Sequence, residues 1–64
     1  MLLNLLLARK KHGLKQREVA ERAGVTAVKM SRIENGHLVP TIHEALRIAA
    51  VLDAPVDRLF DTTK

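Results

Sequence analysis

Gly13, Gly24, Gly36, Pro40 and Pro55 cut this 64-residue sequence into short blocks of helical length. Glycine supplies the left-handed residue that closes a helix, and proline suits the start of one. No block alternates apolar and polar residues with period two, so a sheet-based fold is not expected. The punctuation therefore predicts an all-α domain built from short helices over residues 1–64, without linker, repeat or low-complexity segment.

Leu2 to His12 is rich in leucine and then lysine, both good helix formers, and Gly13 stops this first helix. The second runs from Gln16 to Ala23, with Val19, Ala20 and Ala23 on one face and Gly24 as terminator. Thr26 is the expected N-cap of a third helix, which continues through Ile33 on a Met30, Ile33 face and ends at Asn35-Gly36. Thr41-Ile42-His43-Glu44 reads as a capping box behind Pro40, opening a fourth helix expected to bury Ile42, Ala45, Leu46, Ala49 and Leu52. Pro55 begins a last short helix carrying Val56, Leu59 and Phe60.

A domain of this size buries only about 60% of the surface its unfolded chain exposes, so its core is marginal. Cysteine is absent, which removes disulfides and thiolate metal sites and fits a reducing compartment. His12, His37 and His43 share no helical i, i+4 spacing, so neither a metal nor a cofactor is expected. Apolar residues make up 47% and charged residues 28%, too apolar a balance for disorder. No paired base, nucleophile or phosphate loop is present, and Asp57 with Asp61 reads as a solvated acidic face; an enzyme is not expected.

The formal net charge of +4 is unevenly spread. Arg9, Lys10, Lys11, Lys15, Arg17, Arg22, Lys29 and Arg32 face only Glu18 and Glu21 before residue 33, whereas Glu34, Glu44, Asp53, Asp57 and Asp61 outweigh Arg47, Arg58 and Lys64 after it. A clustered positive field attracts polyanions, phosphate backbones foremost, although a solvated charge run gives the same pattern.

Ahead of those charges stands MLLNLLLARKKHG. A signal peptide carries its basic residues before its apolar stretch, the reverse of this order, and a membrane span needs about 20 apolar residues. A cytoplasmic protein without membrane contact is expected. Leu5, Ala8 and Met1 supply one core stripe, leaving Leu2, Leu3, Leu6 and Leu7 either to pack under Leu59-Phe60 or to form an exposed patch covered by a second subunit.

Only Gly24-Val25-Thr26 separates the second and third helices, so they must cross steeply. Ala20 is small where the axes approach, and Val19, Ala23, Val25, Met30 and Ile33 fill the angle. This is the spacing of a helix-turn-helix. LKQREVAERAGVTAVKMSRIENG followed by PTIHEALRIAAVLDAPVDRLF resembles the Cro and phage-repressor-like (Cro/C1-type) helix-turn-helix family across nearly the whole chain.

The resemblance implies a compact five-helix, lambda-repressor-like DNA-binding domain with its helix-turn-helix at helices two and three. It implies a homodimer on a palindromic double-stranded operator, the second motif helix lying in the major groove. Gln16 and Asn35 match the family's phosphate contacts, and Ala27, Val28, Lys29 and Arg32 match its base-facing positions. Glu34 matches a residue that pairs with an arginine of the first helix, here Arg9. Among the family's short members the chain ends can pair as strands, so residues 1–4 are either extended or helical. Its dimers more often use the last helix, which puts Val51, Val56, Leu59 and Phe60 at the seam, and the surplus leucines add Leu3 and Leu7 to it.

Independent chemistry supports several of these roles. Arg32 can read guanine with two hydrogen bonds, and Lys29 suits a phosphate clamp or a flexible guanine contact. Arg17, Thr26 and His37 are further candidate DNA contacts. Ala27 and Val28 stand where the family has polar readers, which points to thymine methyls. Lys15 replaces the usual Ser or Thr cap, leaving N–H groups without a side-chain acceptor.

The expected function is a dimeric repressor acting by operator occlusion, associated with the nucleoid when bound and controlled by abundance or by a protein partner. The alternative is an interaction module on the same fold, such as an antitoxin that binds a partner protein.

Overall fold

The computed structural model describes residues 1–60, and all regular structure among them is helical. In chain order the helices are α1 (Leu3–Lys11), α2 (Gln16–Ala23), α3 (Ala27–Glu34), α4 (Ile42–Leu52) and α5 (Val56–Leu59). Asp61, expected beside Asp57 on an acidic face, lies outside the described residues.

Local chemistry sets most boundaries. Gly24 ends α2 at φ 75°, and the Val25 N–H then reaches back to Ala20 O at 2.9 Å, folding the chain into the turn. Thr26 Oγ1 accepts from Lys29 N at 3.1 Å, capping α3. Thr41 and Glu44 cap each other reciprocally: Thr41 N donates to Glu44 Oε1 at 2.9 Å and Glu44 N to Thr41 Oγ1 at 3.1 Å. At α2 the Lys15 side chain accepts nothing, as its chemistry requires, but Glu18 Oε1 accepts the Lys15 N–H at 2.8 Å. Asp53, a non-glycine residue at φ 50°, closes α4.

The core joins Leu5 of α1, Val19, Ala20 and Ala23 of α2, Met30 and Ile33 of α3, Ile48, Ala49 and Leu52 of α4, and Leu59 of α5. Three expectations change here. Ile42 and Leu46 are 63% and 49% exposed, because α4 turns the Ala45, Ile48, Ala49, Leu52 stripe inward; Ile48 takes the place assigned to them. Met1 is exposed and adds nothing to the core stripe, whose α1 members are Leu5 with half-buried Leu2 and Ala8. Leu59 is 2% exposed within its own subunit and so is a core residue, not a seam residue.

Leu2 is extended (φ −87°, ψ 90°), and α1 begins at Leu3. The Leu2 N–H donates to Glu34 O at 2.8 Å, strapping the chain start to the end of α3. Asn4 Nδ2 donates to Arg58 O at 3.1 Å, tying α1 to α5.

Candidate nucleic-acid interface

α2 and α3 meet through Val19, Ala20, Ala23, Met30 and Ile33, all buried. With that face of α3 turned inward, its opposite face carries Ala27, Val28 and Arg32, all exposed, Val28 at 66%. Thr26 and Arg17 are exposed at the two helix starts, and Asn35 and His37 are exposed just beyond α3. The structure thus brings the expected DNA-contacting residues to the motif and its flanks, with two qualifications in their bonding.

The first concerns Gln16. Its Nε2 donates to Glu34 Oε1 at 2.9 Å, so the half-buried carboxamide is anchored inward and presents only its remaining groups to solvent. Glu34 itself is fully engaged: Arg9 Nε donates to its Oε2 at 2.8 Å and Arg9 Nη2 to its Oε1 at 2.9 Å. Arg9 Nη1 also donates to Leu14 O at 3.0 Å. The forked pair lies inside the fold, with Arg9 and Glu34 both buried, in the bidentate geometry that suits guanidinium to carboxylate. Burial pushes the Glu34 carboxyl up, but the hydrogen bonds from Arg9 and Gln16 and the Arg9 charge more than offset this and hold it below the usual carboxylate value. Arg9 is raised, chiefly by its hydrogen bond to Glu34.

The second concerns Lys29, whose ammonium pairs with Glu44 Oε2 at the start of α4. The Lys29 hydrogen bond, followed by that from the Thr41 backbone, lowers the Glu44 carboxyl. No local signal announces this link, since the partners lie fifteen positions apart on separate helices. Arg47 was likewise invisible in sequence: its Nε donates to Ala23 O at 2.7 Å and satisfies a carbonyl at the end of α2.

The expected seam residues divide. Leu3 and Leu7 are exposed, Val51, Val56 and Phe60 are half-buried, and Leu59 is interior. Val39, Ile42 and Leu46 form additional exposed apolar surface that the sequence reading had not assigned to a seam. Among the described residues no group of three or more His, Cys, Asp or Glu could hold a metal, and no helix is long and apolar enough to cross a membrane.

This arrangement is similar to a solved structure. One chain of a solved SinR protein/SinI protein complex superposes with a TM-score of 0.85 at 34% identity, covering 97% of this chain and 62% of that one. The present chain thus spans less than two thirds of the length of that counterpart. No curated protein matches the sequence. The family described as helix-turn-helix domain matches residues 5–60, from inside α1 through both motif helices to the end of the described core. The chain belongs to the helix-turn-helix domain family, in the Cro and phage-repressor-like form its sequence resembles.

Proposed function

We propose that residues 1–64 act as one domain that binds double-stranded DNA as a homodimeric transcriptional repressor, occluding a palindromic operator. The observation that carries this reading is the outward face of α3, where Ala27, Val28 and Arg32 stand exposed beside the Thr26 cap while Met30 and Ile33 anchor the opposite face. In the major groove Arg32 reads guanine, and Ala27 and Val28 meet thymine methyls. Arg17, Thr26, Asn35 and His37 contact phosphates, joined by the outer edge of the Gln16 carboxamide. The dimer seam draws on Leu3, Leu7, Val51, Val56 and Phe60, and the protein works in the cytoplasm, on the nucleoid when bound.

Selection of bound duplexes from a random pool at about 0.15 M salt, near physiological strength, tests this. Enrichment of a palindrome supports the dimeric repressor, and absence of any enrichment refutes it. Exposed Val39, Ile42 and Leu46 favour a second reading, docking of a partner protein. The similar solved structure is itself a complex of two proteins. Failure to enrich DNA would leave that reading standing.

A further inference from the structure

Lys29 sits on the recognition helix, where a cation ordinarily adds to phosphate attraction, yet its ammonium is held by Glu44. The carboxylate is well built for the task. Glu44 is 8% exposed, its Oε1 accepts from the Thr41 backbone, and its Oε2 takes Lys29, so the capping box of α4 fixes the acceptor before the lysine arrives. The lysine backbone is fixed too, because its own N–H donates to Thr26 Oγ1. The Glu44 carboxylate is therefore itself held by a helix cap, which lowers the side-chain entropy lost on its side of the pair.

We propose that Glu44 is a positioning residue that withholds Lys29 from DNA and so limits sequence-independent affinity. Base reading is left to Ala27, Val28 and Arg32. The inference rests on the DNA-binding reading above and concerns how that same face is tuned. A protein that neutralises one more phosphate releases one more set of counterions, steepening the dependence of log K on log salt by about 0.9. Releasing Lys29 should have that signature.

The test measures binding of the full chain to a random-sequence duplex from about 0.05 to 0.2 M salt for wild type, K29Q, E44Q and K29Q/E44Q. Glutamine at position 44 keeps a carbonyl oxygen for the Thr41 N–H, and circular dichroism melting checks that each variant folds. K29Q, altered at a partly exposed side chain, carries the test even if E44Q does not fold. The expected result is an unchanged slope for K29Q, a slope steeper by about 0.9 for E44Q, and a return to the wild-type slope in the double variant. A shallower slope for K29Q overturns the proposal, since Lys29 would then leave Glu44 for phosphate in the complex. An E44Q gain that survives in the double variant also overturns it, assigning the effect to repulsion by Glu44 itself. An E44Q slope equal to wild type overturns this inference while the DNA reading stands. No binding by any of the four proteins removes the DNA reading and this inference with it.

Discussion

Replacing Arg9 by methionine isolates the buried ion pair. Methionine keeps much of the apolar stem and removes the guanidinium, so Glu34 loses the donors on both its oxygens and retains only Gln16 on Oε1. Glu34 is 1% exposed, and water cannot replace those donors without opening the fold. Stranding one partner of a buried pair costs about 3 to 5 kcal/mol. A domain of 64 residues has roughly 3 to 10 kcal/mol in total. R9M should therefore lower Tm by roughly 12 to 24 °C for a 3 kcal/mol loss, and at the upper end leave the chain largely unfolded.

The sign of the pH dependence separates this cause from simple loss of packing. In the wild type Glu34 is held below its ordinary value, so its contribution is present above the unfolded carboxyl value near ~4.3 and fades as pH falls through the lower folded value. In R9M burial is left as the dominant influence, which raises the folded value above the unfolded one. The Glu34 contribution is then complete below the unfolded value and is lost as pH rises through the raised folded one. The stability gap between wild type and R9M, read from urea midpoints, should narrow on going from pH 7 to about pH 4. Glu44, also lowered, is common to both proteins and cancels in the difference. R9M/E34M, which removes both charges, should unfold near wild type. An R9M loss under about 1 kcal/mol, or a gap that stays constant with pH, would refute the reasoning.

Arg32→Ala should remove about 1 to 3 kcal/mol of discrimination at one base position, seen as a relaxed preference there when duplex selection is repeated; uniform weakening over all sequences would make Arg32 a phosphate contact instead. Thr41→Ala deletes the hydroxyl that accepts from Glu44 N, and the urea midpoint should fall by the equivalent of about 1 kcal/mol, no change meaning that the cap is dispensable. Leu3→Glu with Leu7→Glu alters two exposed side chains, so the fold should persist while sedimentation shows monomers; a dimer that survives both changes excludes α1 from the seam.

The extent of α2 was legible because Val19, Ala20 and Ala23 share one face and Gly24 supplies the positive φ that ends it. The facing of α4 was legible only in part, since Ala45, Ala49 and Leu52 are buried as expected and Ile42 and Leu46 are not. Ala45, Ile48, Ala49 and Leu52 form the buried stripe, while Leu46 lies roughly 110° around the helix at 100° per residue. Ile42, Leu46 and Ala50 are as apolar as the residues that won, so composition around the circumference could not choose between them. Packing against α2 and α5 made the choice, with Ile48, Ala49 and Leu52 entering the shared core and Glu44 falling on the side that meets Lys29. Leu59 was misassigned for a related reason: α5 is a single turn, too short for Val56, Leu59 and Phe60 to display a period. The Arg9–Glu34 pair spans 25 positions, and only the family resemblance connected them. Contacts between polar side chains on different helices leave no periodic trace.

Those contacts decide what the recognition face presents. The elbow at Gly24, at φ 75° with Arg47 Nε beside it, allows a steep crossing of α2 and α3 but does not by itself select the angle. Selection comes from the buried side chains between α2 and α3, and α3 is held at both ends besides. At its last residue, Glu34 is gripped through its carbonyl by Leu2 and through its carboxylate by Arg9 and Gln16; near its start, Lys29 is gripped by Glu44. Arg47, bound to Ala23 O, fixes the end of α2 against α4 at the same corner. The leucines that open the chain gain their purpose from this frame, since Leu5 is core and half-buried Leu2 packs against it, seating the strap that reaches Glu34. Residues on α1 and α4, outside the proposed DNA contacts, therefore help hold the pitch at which Arg32 and Val28 project. Substitutions there should alter binding through that pitch even where no contact with a duplex is lost.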